Sequence, residues 1–205
     1  MYLSRVKINT SIRNTIKFLS SPQVIHAAVE ASFTDSDETR KLWRIDYYRG
    51  HPYMLLLSQN KPDFASFIKQ FGYPDMPGEV RDYQKVLDIL QTGQQYRFRL
   101  CANPVYSIKQ TDGQRGKVVP HITITQQEAW LQDKSERAGF TLNEVAVIQR
   151  GIKKFTRQHK YVTLSTATYE GVLKIKDAEV FKAKIIQGIG RAKSYGCGLL
   201  TLAKL

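Results

Sequence analysis

The chain has 205 residues, with 31 Lys and Arg against 18 Asp and Glu, a net charge of +13 that points to a polyanionic partner. Two cysteines and four scattered histidines exclude a disulfide framework and supply no metal-ligand cluster, so no metal and no cofactor is expected. No apolar run reaches membrane-spanning length and the N-terminus does not read as a signal peptide, so no membrane is expected and a cytoplasmic location is.

Residues 1–8 alternate as a strand. Ser21-Pro22 then reads as a helix start, with Ser as N-cap and Pro in the first turn where its missing N–H costs nothing. Ile25, Val29 and Phe33 recur at four-residue spacing as a buried stripe, and His26 falls roughly 60° from its centre, at the edge of the core. Residues 40–48 and 53–59 read as strands joined by a turn through Arg49-Gly50-His51-Pro52. Lys61-Pro62-Asp63 opens a shorter helix carrying Phe64, Phe67 and Ile68. Residues 72–78 are loop, and 83–90, ambiguous by periodicity, are assigned as the strand that closes the first half.

The second half opens with a strand over 96–102, where arginines alternate with apolar residues. Residues 111–117 form a polar, basic loop with turn chemistry. Thr125-Gln126-Gln127-Glu128 matches a capping box for a helix that carries Ala129, Trp130 and Leu131 and stops near Gly139. Strands are expected over 140–149, 161–167 and 170–176, one more than in the first half. Asp177 is a plausible N-cap for a helix over 177–187, ahead of a last strand over 199–203.

This order predicts an α+β protein made of two tandem ferredoxin-like, RRM-like βαββαβ domains, residues 1–94 and 95–205. The halves are not visibly similar in sequence, and a single larger α+β domain is the alternative. RRM modules share the topology, but no clear RNP aromatic motif is present.

The charge is uneven. Residues 1–100 hold 14 basic and 10 acidic side chains, and residues 101–205 hold 17 and 8, so the anion-facing surface is mainly C-terminal. Arg150-Gly151-Ile152-Lys153-Lys154-Phe155-Thr156-Arg157-Gln158-His159-Lys160 is the densest basic segment. Lying between strands, it is expected to project as a hairpin tip that places cations in the deep groove of an A-form helix. A solvated loop is the ordinary fate of such a run. Arg115 and Lys117 add a second basic loop. Near the C-terminus, Gly188, Gly190, Gly196 and Gly198 bracket Arg191 and Lys193. This is not a dinucleotide fingerprint or a P-loop, because the expected helix precedes the glycines. A C-cap would explain Gly188 alone; four glycines around two cations favour a shaped loop near a phosphate backbone.

The opening Met1-Tyr2-Leu3-Ser4-Arg5-Val6, the block Arg97-Phe98-Arg99-Leu100-Cys101-Ala102-Asn103-Pro104, Ala129-Trp130-Leu131 and the tail over 188–205 resemble CasE. That family is the CRISPR repeat-processing endoribonuclease of the Cascade surveillance complex. The resemblance implies tandem ferredoxin-like domains that bind the CRISPR repeat RNA stem-loop and other Cascade subunits. It implies metal-independent cleavage at the stem's base: the upstream 2′-hydroxyl attacks the scissile phosphate, leaving a 2′,3′-cyclic phosphate and a 5′-hydroxyl. The family's catalytic histidine matches His26, and its groove-entering basic hairpin matches residues 150–160, with His159 at the RNA-binding tip.

The chemistry agrees with this, since transesterification needs a base for the 2′-proton and an acid for the leaving 5′-oxygen, and imidazole titrates near neutrality. Taken without the resemblance, a lone histidine at a helix edge is a structural residue. His51 and His121, each beside a proline, have local structural roles. Two departures stand out. Relatives carry a tyrosine three residues before the histidine where this chain has Gln23, which can position a group but cannot transfer a proton. Some carry an arginine beside the histidine where this chain has Ala27, which leaves Arg191 and Lys193 as candidate cations at the scissile phosphate. Two other readings stay open: a non-catalytic subunit that holds the crRNA hairpin, and a general binder of duplex DNA or RNA.

Overall fold

The computed structural model describes residues 1–34, 37–109, 116–157 and 160–205. Strand β1 (Tyr2–Lys7) turns Ser4 and Val6 inward and runs antiparallel to two partners, β3 (His51–Ser58) and β4 (Glu79–Asp82). Strand β2 (Leu42–Tyr48) pairs with β3 across a two-residue turn, Arg49-Gly50, in which both residues take positive φ. The resulting order is β2-β3-β1-β4. In the second half, β5 (Gln95–Ala102), β8 (Phe140–Arg157), β9 (Lys160–Ile175) and β10 (Leu200–Ala203) give β10-β5-β9-β8. Each sheet therefore places its first strand between its third and fourth, the ferredoxin-like arrangement, so the expected fold class is observed twice.

The helices are α1 (Arg13–Ser20), α2 (Pro22–Glu30), α3 (Ala65–Phe71), α4 (Gln84–Asp88), α5 (Ile124–Arg137) and α6 (Ala178–Gln187). Several local expectations need correction. Residues 83–90 are not a strand: β4 lies just before them, and Asp82 Oδ1 accepts from the Gln84 N–H at 2.9 Å, which turns the chain into α4. The capping box sits at Thr123 rather than Thr125. Thr123 Oγ1 accepts from the Gln126 N–H at 3.2 Å, and Gln126 Oε1 accepts from the Thr123 N–H at 3.2 Å. Ser21 does precede α2, with Pro22 as its first residue, but its hydroxyl makes no capping bond. Asp177 caps α6 as expected, accepting from the Val180 N–H at 3.0 Å.

The largest correction concerns the basic segment. It forms a hairpin, as expected, but residues 150–157 are themselves the distal half of β8, paired residue for residue with 160–167 of β9. Residues 161–167 and 170–176, expected as separate strands, lie along that single long strand and its end. No proline interrupts either run, and Ile152 and Phe155 keep it strand-like, so the ladder continues past the sheet. The extra strands of this half are instead β6 (Val105–Ile108) and β7 (Lys117–Pro120), a separate two-stranded ribbon.

Two apolar clusters hold the layers together. One joins Ile25 and Val29 of α2 to Phe18, Trp43, Met54 and the phenylalanines of α3. Phe18 stacks on Phe71 at 4.0 Å and meets Phe67 edge-on at 5.6 Å. The other is centred on the second sheet, yet it includes Leu42 and Leu57 of the first. Polar bonds reinforce this junction. The guanidinium of Arg44, on β2 and 3% exposed, grips Asp46 with two bonds of 2.7 Å and donates to Leu199 O at 2.9 Å, Arg99 O at 3.1 Å and Thr201 Oγ1 at 2.9 Å. Every donor of a buried charge is thus used across the two sheets. Arg44→Leu should cost about 3 kcal/mol or more in unfolding free energy, because three acceptors and a carboxylate lose their partner. Chemical denaturation of the two proteins measures it; a loss below about 1 kcal/mol would mean the apolar contacts alone fix the junction.

Candidate active site

Helix α2 is amphipathic by its spacing. Ile25 and Val29 are fully buried, while Gln23, Ala27 and Glu30 are exposed and His26 is partly so. The imidazole, about one-third exposed, keeps access to solvent from the edge of the core, where the helical geometry predicted it. Its Nδ1 lies 3.5 Å from Glu30 Oε1, one turn further on. Glu30 Oε2 in turn pairs with Lys41 Nζ at 2.9 Å. The Lys41 side chain is only 3% exposed, and Asp37, whose carboxyl is held below its ordinary range chiefly by the Thr39 hydroxyl, lies 3.8 Å from the same ammonium. A carboxylate so anchored favours the tautomer with its proton on Nδ1, which makes Nε2 the basic nitrogen.

The glycine-rich tail packs against this helix. Its centre is a short 3-10 turn, Lys193–Tyr195, which touches both α2 and β2. All four glycines of the tail take positive φ. At two of them the reason is close packing as well: a Cβ on Gly196 would lie 2.7 Å from the Trp43 ring, and one on Gly188 would lie 2.7 Å from Leu42 Cδ2. The loop is therefore shaped by the hydrophobic surface it covers. It leaves Arg191 exposed, and Lys193 Nζ turns inward to donate to Gly190 O at 2.8 Å. Burial, with the nearby cations Arg40 and Lys184, holds the Lys193 ammonium below the ordinary lysine range. Arg40, just before β2, and Lys184, on α6, thus lie within electrostatic reach of the loop lysine.

The basic hairpin splits by face. Lys153 shares its face with Phe155, whose ring lies 4.8 Å from Tyr195 of the glycine loop; Lys153 lines a cleft of about 280 Å³ between the sheets, with Arg44, Arg99 and Cys101. Lys154 is exposed on the opposite face. Arg150, at the base, donates to Ile122 O at 3.1 Å. Arg157 and Lys160 end their strands, and Lys117 begins β7. His159 and Arg115 lie outside the described residues. Cys101 and Cys197 are free thiols, and hydrogen bonding from Cys197 holds the Cys101 thiol below the usual range. Among the described residues no group of three or more His, Cys, Asp or Glu could hold a metal ion, and no helix is long and apolar enough to cross a membrane.

A family model described as "CRISPR associated protein" matches residues 1–204. The Cascade subunit CasE of Escherichia coli K12 is 33% identical over 192 residues, covering 80% of this chain and 96% of the relative. The chain belongs to the CasE family. The CRISPR-associated endoribonuclease Cse3 of Thermus thermophilus is 28% identical over 220 residues, 99% of this chain and all of the relative. The structure of Cse3 bound to a 19 nt RNA superposes with a TM-score of 0.84 at 27% identity, covering 99% of this chain and all of that one. The crystal structure of Escherichia coli Cas6e gives 0.72 at 28%, with both chains fully covered.

Within this CasE-family fold the tertiary structure adds residues that the sequence did not single out. Arg40 and Lys41 from the segment before β2, Glu30 at the end of α2 and Lys184 on α6 are each ordinary charges in their own neighbourhoods, and only the pairing of Lys41 with Glu30 and the approach of Arg40 and Lys184 to Lys193 distinguish them. Gln23 stays on the exposed face of α2, one turn before His26. Gly196→Ala should lower the melting temperature and cost about 1–3 kcal/mol, through a positive φ of 83° in a non-glycine residue and a clash with Trp43. Thermal unfolding of the variant checks it, and an unchanged midpoint would show that Trp43 moves freely aside.

Proposed function

We propose that this chain is a CRISPR RNA-processing endoribonuclease that cuts each repeat at the base of its stem-loop and holds the processed hairpin as a subunit of a Cascade complex in the cytoplasm. On this reading residues 1–94, with the histidine, and 95–205, with the hairpin and glycine loop, are two tandem domains. The observation that carries the reading is the packing of α2, with its one-third exposed His26, against a loop whose Lys193 lies within electrostatic reach of Arg40 and Lys184. The relatives named endoribonuclease, and the Cse3 structure described as bound to an RNA representing a pre-cleavage complex, support it.

In the reaction the 2′-oxygen upstream of the scissile phosphate gives up its proton and attacks phosphorus. The P–O5′ bond breaks, leaving a 2′,3′-cyclic phosphate, and the departing 5′-oxygen takes a proton. His26 Nε2 supplies the proton-transfer site, and Glu30, fixed by Lys41, orients the ring. The cations at Arg40, Lys184 and Arg191 draw the phosphate backbone to the loop, while Lys154 and its neighbours on the hairpin enter the groove of the stem. Gln23 orients the 2′-hydroxyl or donates to a non-bridging oxygen.

Single-turnover cleavage of a hairpin from the neighbouring CRISPR array, in EDTA and with the product ends identified, tests this. Wild type should leave a cyclic phosphate, and His26→Ala should be slower by about 10²–10⁴-fold with unchanged RNA affinity. Wild-type cutting by the variant would overturn the assignment. Tight binding without cutting by either protein would favour a non-catalytic hairpin-holding subunit, the reading that Gln23, in place of a proton-transferring tyrosine, keeps open. Replacing Arg40 and Lys184 together by Gln should flatten the slope of log affinity against log salt by about 1–2, one counterion release per lost phosphate contact. An unchanged slope would place the RNA backbone elsewhere.

A further inference from the structure

The side of the glycine loop lined by Gly190 and Arg191 borders a cavity of about 560 Å³ that the proposed cleavage chemistry does not use. Its walls are the β6–β7 ribbon and the first turns of α5. Tyr106 and His121 form a tilted ring pair, centroids 4.9 Å apart, with Tyr106 nearly half exposed. Trp130 forms the floor, close enough to Gly190 that a Cβ there would lie 3.1 Å from its ring, and Lys134 Nζ lies 5.9 Å from the same ring centroid. Asn103 brings an amide to the wall, and Arg191, exposed on the loop, brings a guanidinium.

The platform is held in place before any ligand arrives. The His121 N–H donates to Pro104 O at 2.9 Å, and its carbonyl accepts from Gln127 Nε2, itself buried, at 3.0 Å. Burial, with Lys134 nearby, lowers the His121 pKa, so the ring is neutral at physiological pH and offers a π-face rather than a charge. The exposed face of Tyr106, the Asn103 amide and the Arg191 guanidinium at the rim match a base, its edge and a phosphate, while the Asp133 carboxylate on the same wall is already paired with Lys134 at 2.8 Å. The volume suits one such unit. A paired base in a stem hides its faces against its neighbours, so the occupant is single-stranded. Arg191 is two residues from Lys193, at most about 7 Å of chain, so a strand that meets the loop beside α2 reaches this cavity within on the order of one nucleotide step.

We propose that this cavity is a subsite for one unpaired ribonucleotide flanking the bound stem, its base stacked on Tyr106 and His121 and its phosphate on Arg191. The proposal rests on the RNA-processing reading, and its test separates the two. Affinity is measured for the repeat stem-loop alone and for the same stem-loop with its unpaired flanks, using the full chain, Tyr106→Ala and Tyr106→Phe. The flanks should tighten wild-type binding about 5- to 150-fold, the range of one base–aromatic stack. Tyr106→Ala should abolish that gain while binding the bare stem as wild type does, and Tyr106→Phe should retain it. With 2-aminopurine placed in turn at each unpaired position, one position should be quenched by wild type and not by Tyr106→Ala. Flanks that add nothing, or add equally in Tyr106→Ala, would overturn the subsite and leave the stem-binding reading standing; a cavity that instead receives a side chain of an adjoining subunit gives this result. Failure of wild type to bind either RNA would overturn both.

Discussion

The Arg44 guanidinium is the interaction on which the arrangement of this molecule turns. A buried cation is costly unless all its donors are used, and here they are used on one carboxylate from its own strand and three acceptors from β5, β10 and the residue before β10. Because those partners belong to the second sheet, the charge cannot be satisfied unless the two sheets meet in one register. Apolar contacts such as Leu42 and Leu57 tolerate small slips; directional bonds to two carbonyls and a hydroxyl do not. Helix α2 rides on the first sheet and the glycine loop leads into β10, so the same constraint sets the distance between histidine and cations.

The glycine loop converts that fixed junction into a surface. A residue with a Cβ at 188 or 196 would hold the loop off Leu42 and Trp43, and the 3-10 turn would lose its contact with α2. Glycine here serves proximity: it lets backbone lie on aromatic and aliphatic side chains, so that Arg191 projects while Lys193 braces the loop from within. Lys193 illustrates how position divides labour between like residues. Two cations two residues apart in sequence end with one exposed and one committed to a carbonyl.

Much of this was legible in the chain itself, and the reasons are local. The four-residue spacing of Ile25 and Val29 identified α2 and put His26 at its edge, because helical periodicity needs no tertiary information. Asp177 and the turn at Arg49-Gly50 were readable from local turn and cap chemistry, although His51 and Pro52, expected in the turn, already belong to β3. Residues 83–90 were not, since their apolar spacing fits helix and strand alike and an aspartate just upstream decided the outcome. The basic hairpin was expected to project, but its strands were ended at 149 and 161 because charge suggests solvent. In fact a long two-stranded ribbon tolerates lysines on its exposed face while Phe155 packs against the glycine loop on the other.

The sequence by itself determined most of the helices and the repeated βαββαβ pattern, the excess of positive charge in the second half and the family resemblance carried by its ends and middle, since each is a property of neighbours along the chain. Only the tertiary structure decided which charges act together. Arg40 and Lys184 come within electrostatic range of Lys193 from distant parts of the chain, and Lys41, folded back onto the end of α2, fixes the Glu30 carboxylate one turn beyond His26. Such convergence depends on how two sheets are docked, and no periodicity or spacing along the chain encodes the docking.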